Sequence, residues 1–117
     1  MWPFAIGLFG KIAEIWQLSI VEQSALLGMS ETEYLALREA RHGADVSCDV
    51  RQRISYIVNV YKALNILLGS QEAADAWIKR PNNAEPFCGE SALSWILDGP
   101  KDGIAFLHDY LQAKLGS

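Results

Sequence analysis

The chain has 117 residues, of which 50% are hydrophobic and 21% are charged. This composition supplies the apolar side chains of one small domain core and excludes a disordered polyelectrolyte. The length excludes a TIM barrel and a full doubly wound nucleotide-binding enzyme. Ten Lys and Arg against 14 Asp and Glu give a net charge of −4, which excludes a bulk cationic coat for nucleic acid. Any contact with DNA would therefore have to be local.

The sequence carries neither a cysteine framework nor an export signal. Cys48 and Cys88 lie far apart without a Cys-x-x-Cys pair, so neither a disulfide scaffold nor a zinc ribbon is predicted. The apolar start lacks the positive leader of a signal peptide. Lys11 and Glu14 interrupt it well short of the roughly 20 residues that span a bilayer. We therefore expect a soluble protein in the cytoplasm.

Helical periodicity dominates the sequence and predicts an all-α fold of about seven helices. The first covers residues 3–16, and two glycines within it weaken the helix, so that it should need a packing partner. Its predicted core face consists of Phe4, Leu8, Ile12 and Ile15, widened by Ala5, Phe9 and Trp16.

Two short helices with clear start signals follow. Ser19 with Glu22 and Ser30 with Glu33 both fit the S-x-x-E capping box, in which hydroxyl and carboxylate satisfy amide groups at the helix start. Gly28 is expected to end the first of the two helices. The second is expected to present Tyr34 and Leu37 to the core.

The longest predicted helix covers residues 49–68 and ends at Gly69. Ser70 then caps another helix, which a proline-containing loop ends. A short helix and a final one opened by Pro100 complete the pattern. We predict a division near Gly69 and Ser70.

This division gives an N-terminal part, residues 1–69, and a C-terminal part, residues 70–117. In the N-terminal part, Ser24 lies four residues before Gly28, which is the spacing of a helix-turn-helix whose glycine makes the turn. The N-terminal part is thus predicted to be helix-turn-helix-like behind an apolar first helix, and the C-terminal part to be a small helical unit.

The sequence contains only some of the features that DNA binding requires. Glu31 and Glu33 occupy the first turn of the would-be recognition helix, where the DNA backbone would repel them, and capping accounts for both. Arginines on solvent-facing helix surfaces are common, but a local basic cluster could contact DNA, alone or pooled in a dimer. The candidate DNA-binding residues are Arg38, Arg41, Arg51 and Arg53.

The sequence shows no recognisable arrangement of catalytic residues. His42 and His108 are the only near-neutral acid–base groups, and neither lies in a recognisable nucleophile arrangement. The spacing of the histidines and cysteines does not indicate a metal site, and no Walker, G-x-G-x-x-G or H-E-x-x-H motif occurs. We expect a non-enzyme without a metal or cofactor.

The last fifty residues carry a recognisable pattern: Trp77 and Pro81-Asn82 at a helix end, then a Gly89-x-Ser91 helix start, and Gly103 leading into a final helix. This pattern resembles the toxin-binding domain of the MbcA/ParS/Xre family of bacterial antitoxins. The helix-turn-helix-like segment lies where that family carries its Xre-type domain, so the resemblance covers the chain from about residue 18. Ala92 stands where the family usually has proline, Cys88 replaces a residue that is often glycine, and Glu85-Pro86 lengthen the loop.

The resemblance implies a type II antitoxin whose partner is a RES-domain toxin, an enzyme that consumes NAD. Such antitoxins inhibit through the C-terminal domain, with the tail close to or inside the NAD pocket of the toxin. The resemblance also implies a homodimer or a toxin–antitoxin hetero-oligomer, and for many members repression of their own operon.

Residues of the last helix fit this role independently. Phe106 and Tyr110 are four residues apart and point away from the predicted core stripe, and exposed aromatic residues are good anchors for a partner. The following tail could bring a carboxylate into an anion-binding pocket. The predicted toxin-binding residues are Phe106, Tyr110, Lys114, Leu115, Gly116 and Ser117. The alternative is that Phe106 and Tyr110 pack onto the apolar first helix.

Other conspicuous residues are assigned to structure. A tryptophan beside a proline at a helix end usually seals a core, and Asn can bond the backbone of a turn. The structural residues of the motif are Gly28, Trp77, Pro81, Asn82, Gly89 and Gly103. Two rival functions stay open: a DNA-binding transcriptional regulator without a toxin partner, and a helical domain that binds a small molecule around Trp77 and Trp95.

Overall fold

The computed structural model describes residues 2–39, 48–83, 87–98 and 103–116 of the chain. Within these ranges the chain folds into seven helices without a β-sheet, so the predicted all-α fold is confirmed. None of the helices in the described ranges combines the length and apolar character needed to cross a membrane. The helices are α1 (Trp2–Ile15), α2 (Ile20–Leu27), α3 (Glu31–Glu39), α4 (Cys48–Leu68), α5 (Gln71–Trp77), α6 (Ala92–Asp98) and α7 (Gly103–Leu115).

The long helix α4 is the centre of the molecule. It packs most extensively against α7 and α5, and on other parts of its surface against α1 and α2. Helices on both sides of the predicted division therefore share α4 as a packing surface, and the division itself stays a prediction. The buried side chains of α4 are Val50, Ile54, Ile57, Val60, Ala63 and Leu64.

The buried face of α1 agrees with the predicted one at Phe9, Ile12 and Trp16 and differs from it at Ile15. Ile15, predicted to lie in the core, is 38% exposed. A helix rotates by about 100° per residue, so residues spaced i, i+3, i+4 and i+7 share one face, and here that set starts at Phe9 rather than at Leu8. Phe4 lies outside the side chains that the structure describes. The buried set is Phe9, Ile12, Ala13 and Trp16.

Both predicted capping boxes are confirmed. The backbone N–H of Ser19 donates to Glu22 Oε1 (2.9 Å), and the backbone N–H of Glu22 donates to Ser19 Oγ (3.1 Å). Ser30 and Glu33 form the same reciprocal pair at 3.0 and 3.1 Å. These hydrogen bonds to Ser30, first through its backbone N–H and then through its side chain, lower the pKa of Glu33. Gly28 ends α2 in the left-handed conformation, as predicted.

A buried polar chain ties α2 and α3 together. The hydroxyl of Tyr34 donates to Gln23 Oε1 (2.6 Å), and Gln23 Nε2 donates to the carbonyl of Leu18 (2.9 Å). The ring of Phe9 meets the ring of Tyr34 edge-on at 6.1 Å, which joins α1 to the same point. Burial raises the pKa of Tyr34, and the nearby charge of Arg38 acts in the opposite direction. Tyr34 is thus the buried centre of the α1–α3 region.

Candidate functional site

Five aromatic side chains from α5, α6, α7 and the loop before α6 form one cluster. They are Trp77, Phe87, Trp95, Phe106 and Tyr110, here called the aromatic cluster. Phe87 is completely buried at its centre. Its ring lies nearly perpendicular to those of Trp77 (6.2 Å), Trp95 (5.5 Å) and Tyr110 (5.6 Å). Such edge-to-face pairs contribute about 0.5–1.5 kcal/mol each beyond the area they bury.

The outer side of the aromatic cluster faces solvent. Phe106 is 47% exposed, packs on Trp95 at 5.3 Å and stacks on Tyr110 at 6.4 Å. The Lys114 ammonium lies 5.0 Å from the centre of the Tyr110 ring, within cation–π distance. Phe106, Tyr110 and Lys114 follow one another at four-residue intervals, so they occupy one face of α7. The adjacent face carries the buried Leu107 and Leu111.

The ring contacts among the described side chains do not place Phe106 or Tyr110 on the first helix, of which residues 2–6 lie outside the described side chains. Both residues find their aromatic partners on α6, α7 and Phe87. The space between Trp77 and Trp95, considered as a ligand pocket, is occupied by the Phe87 ring that touches both indoles.

The loop that delivers Phe87 is held by backbone contacts around Pro81 and Asn82. Pro81 pairs with Ser91 as an isolated β-bridge. The Asn82 backbone N–H donates to the carbonyl of Glu90 (3.0 Å), and the Gly89 N–H donates to the Asn82 carbonyl (2.7 Å). These bonds close the loop beneath the aromatic cluster. Pro81 and Asn82 thus take part in the backbone contacts that shape this loop.

Two residues of this region have backbone requirements that glycine meets. Gly89 has φ of 96°, a conformation that side-chain-bearing residues rarely adopt. At Gly103 an added Cβ would lie 3.3 Å from the Cα of Ile96 and 3.5 Å from its carbonyl oxygen, so α6 and α7 meet there at close range. Cys88 also has a positive φ, of 50°, at the position where the resembled family often has glycine.

An apolar groove runs beside the aromatic cluster, with a volume of about 370 Å³. Leu67 in its wall is 36% exposed, and the adjacent Ile66 is 69% exposed. The groove shares Trp77 and Tyr110 with the aromatic cluster, so the two form one continuous apolar surface. Its walls are formed by Leu64, Leu67 and Leu68 of α4, Trp77 of α5, and Tyr110 and Lys114 of α7.

A second groove, of about 530 Å³, lies between the end of α1 and α5. Charges of both signs line it, namely Glu72, Asp75, Lys79 and Arg80. Lys79 Nζ donates to the carbonyl of Gln17 (2.6 Å) and thereby joins the ends of α1 and α5. This mixture of charges does not select one class of ligand.

The predicted toxin-binding residues are brought together in part. Phe106, Tyr110 and Lys114 share the outer face of α7, as described above. Leu115 is half-buried and packs against the core, and Gly116 is exposed just after the helix. Ser117 lies outside the described residues.

Three of the predicted DNA-binding arginines contact residues about one turn away on their own helix. The Arg38 guanidinium lies 5.7 Å from the Tyr34 ring centre, and Arg51 donates to Cys48 Sγ at 3.3 Å. Arg53 is the most constrained: its Nε pairs with Asp49 at 3.0 Å. Arg41 lies outside the described residues.

Arg53 also has a structural role at the turn after α2. Its guanidinium donates to the carbonyl of Leu26 at 3.3 Å, and it lies 3.3 Å from the place where a Cβ on Gly28 would be. A cation at the carboxyl end of a helix satisfies free carbonyls and the helix dipole. Arg53 thus fastens α4 to the turn between α2 and α3.

The acid–base residues are dispersed. The His108 ring lies 4.9 Å from that of Tyr56, tilted by 48°, on the α4–α7 contact, and it lies 3.0 Å from the carboxylate of Asp109. Cys48 and Cys88 are both exposed, and neither is in a disulfide. Over the described parts of the chain, no three His, Cys, Asp or Glu side chains are grouped as a metal site requires. His42 is not among the described residues.

No model of a known protein family matches the chain. A relative nevertheless aligns with nearly the whole of this chain. Over 114 residues the chain is 37% identical to the uncharacterized protein y4oB of Sinorhizobium fredii (strain NBRC 101917 / NGR234), with 97% of this chain and 86% of the relative aligned. The chain belongs to the family of y4oB. Because that relative is itself uncharacterized, the kinship brings no activity with it.

Sequence reasoning identified the outer face of α7 but missed the groove beside it. The signal for the groove was available at the end of α4, where Ile66, Leu67 and Leu68 are three consecutive apolar residues. One helical stripe can bury only part of such a run. The central position of Phe87 had no comparable signal, because it depends on contacts between four separate segments.

Proposed function

We propose that the chain is an antitoxin of a type II toxin–antitoxin system that neutralises a RES-type, NAD-consuming toxin. Its C-terminal region occludes the active site of the toxin through a protein–protein interface, and the chain catalyses nothing itself. The observation that carries this proposal is the exposed aromatic face of α7. The sequence resemblance described above supplies the identity of the toxin.

The α7 face has the physical character of a binding anchor. Phe106 is half exposed, yet it is held from below by Trp95 and Tyr110, which rest on the buried Phe87. An aromatic side chain that is already fixed loses little conformational entropy when a partner covers it. Leu107 and Leu111 of the same helix are buried, so truncating either side chain would weaken the support of the α7 face.

The charge and size of the surface are compatible with such a complex. A specific interface buries on the order of 1,600 Å² in total, which requires more than one aromatic side chain. The apolar groove extends the α7 face toward the end of α4. A net charge of −4 would accelerate association with a basic toxin surface.

The proposal includes a cytoplasmic location and assembly as a homodimer or as a toxin–antitoxin hetero-oligomer. It also includes repression of the operon through α2 and α3, whose capping boxes and left-handed Gly28 turn support a helix-turn-helix-like arrangement. A transcriptional regulator without a toxin partner is the second candidate, favoured by the same arrangement. The engagement of Arg53 with Asp49 and Leu26 weighs against it.

The direct test combines growth and biochemistry. We expect a RES-domain toxin to be encoded beside the gene for this chain, to arrest growth and deplete NAD when expressed alone, and to do neither when co-expressed with this chain. The purified proteins should form a stable complex. A toxin that still depletes NAD in the presence of an excess of this chain would overturn the proposal.

A gel-shift assay separates the second candidate. The isolated chain and the complex are each titrated onto the DNA upstream of the gene at moderate salt. Specific binding by the isolated chain, combined with absence of a toxin complex, would establish the regulator. Specific binding only by the complex would support the antitoxin with autoregulation.

A further inference from the structure

The apolar groove defined above has an uneven distribution of charge. Lys114 is the one charged side chain among the described residues that line it, and Asn82 adds a single amide. The chain as a whole has a net charge of −4, so this groove is locally positive on an acidic protein. Its one charge is therefore opposite in sign to the net charge of the chain.

The cation lies at the rim of the groove, on an exposed side chain. The Lys114 ammonium lies 5.0 Å from the centre of the Tyr110 ring, which forms part of the wall. Apart from Asn82, the other lining side chains are apolar or aromatic, and Leu67 leaves 36% of its area accessible. An occupant would bury an apolar side chain against the leucines and indole, and could pair a carboxylate with Lys114.

The volume of the groove indicates the size of this occupant. About 370 Å³ is at the lower end of the roughly 300–1,000 Å³ of ligand pockets, which suits an anchoring side chain and its neighbour. Grooves of this kind between helices commonly receive one face of an amphipathic segment.

We propose that the groove binds an acidic amphipathic segment of a partner protein, with an apolar side chain between α4 and α7 and a carboxylate on Lys114. The attribution of that segment to the toxin rests on the proposed function. The binding chemistry itself can be tested without the toxin.

The experiment uses the full-length ¹⁵N-labelled chain and two synthetic amphipathic peptides. Both carry leucines at i, i+3, i+4 and i+7, and the remaining positions are all Glu in one and all Lys in the other. We expect the Glu peptide to shift the Trp77 indole N–H resonance and the amides of Tyr110 and Lys114, with saturation. The Lys peptide should bind roughly fivefold more weakly, because an exposed charge pair has only a modest effect.

Variants at Lys114 and at a matched lysine distinguish a specific pair from general attraction. K114Q should remove the preference for the Glu peptide, and K114E should reverse it. Lys62 is exposed on α4 and does not line the groove, so K62E should leave the preference unchanged. Thermal unfolding of each variant establishes that it is folded.

Several outcomes would overturn the inference: equal affinity for the two peptides, shifts located elsewhere, an unchanged preference in K114E, or groove shifts that depend on protein concentration without peptide. The last would identify a second copy as the occupant. A chain that passes the peptide test but does not neutralise the toxin would overturn only the proposed function. A toxin complex that is insensitive to K114E would overturn only the groove inference.

Discussion

Two regions of the molecule hold buried aromatic residues, and they use them differently. In the α1–α3 region, Phe9, Trp16 and Tyr34 are each at most 2% exposed. In the aromatic cluster, one buried ring, Phe87, supports others that reach the surface, and Phe106 is 47% exposed. The first arrangement uses aromatic area for the core alone, whereas the second leaves part of it available to a partner.

The two regions also differ in the contacts that fix their aromatic side chains. Tyr34 is fixed inside the α1–α3 region by a hydrogen bond to Gln23, which in turn reaches the carbonyl of Leu18. The rings of the aromatic cluster are ordered by one another and by Lys114. We infer that stability is concentrated in buried, directional contacts, and that the exposed rings contribute less to stability than to recognition.

The largest expected effect is that of removing the centre of the aromatic cluster. Phe87→Ala should lower the free energy of unfolding by about 3–5 kcal/mol, because it leaves a cavity beneath three rings. The matched variant is F106A, which removes the same side chain from the surface and should lower it by roughly 1 kcal/mol or less. Urea unfolding measures both. Equal losses would contradict the distinction between centre and surface.

The next effect tests the buried polar chain of the α1–α3 region. Tyr34→Phe should lower the free energy of unfolding by about 1–3 kcal/mol, because the buried amide of Gln23 loses its partner. Tyr56→Phe is the control, since its hydroxyl accepts from the exposed Gln52 (2.9 Å) and its loss should change stability by roughly 0.5 kcal/mol or less. Similar losses at both tyrosines would show that the buried chain has no special importance.

A pair of glycine substitutions compares a crowded site with an open one. Gly103→Ala places a methyl group 3.3 Å from the Cα of Ile96 and should destabilise by about 1 kcal/mol. An added Cβ at Gly7, inside α1, would meet none of the described atoms from outside its own stretch of helix within 4 Å, so Gly7→Ala should stabilise by up to about 1 kcal/mol through helix propensity. Thermal unfolding gives both signs, and a stabilising effect at Gly103 would contradict the close helix contact.

The smallest expected effect is a dependence of stability on pH. The lowered pKa of Glu33 means that its capping contribution is present above the ordinary value of 4.5 and is lost as pH falls through the lowered pKa. The raised pKa of Tyr34 has the opposite sign: its contribution is complete below pH 10.0 and is lost as pH rises above it. E33Q should therefore reduce the acid-side slope of melting temperature against pH and leave the alkaline side unchanged. If the acid-side slope were the same in E33Q as in the wild type, the charge of Glu33 would not contribute to the capping.

The sequence predicted the features of this fold that depend on local chemistry. Capping at Ser19 and Ser30 and the turn at Gly28 involve residues within a few positions of one another, so spacing alone identifies them. Ile15 was wrongly assigned to the core face of α1, because it is as apolar as the buried Ile12 and only packing against the other helices distinguishes the two. The contact of Arg53 with Leu26 spans 27 residues and has no local signature.

The candidate site was likewise predictable only where it depends on residues close together in the sequence. Phe106 and Tyr110 could be assigned to one outer face because helical spacing determines it. Their support by Phe87, and the groove that Leu67 and Trp77 form with α7, depend on how α4, α5 and α7 pack together. Those contacts exist only in the folded chain.

The most direct test of the central claim measures the affinity for the toxin and the stability of the same variants. We predict that F106A weakens binding to the RES-domain toxin by at least tenfold, about 1.4 kcal/mol, while its melting temperature stays close to that of the wild type. V21A removes another exposed apolar side chain, 58% exposed on α2, and should bind as the wild type does. Wild-type affinity in F106A, or an equal loss in V21A, would contradict the claim that the outer face of α7 is the toxin-binding surface.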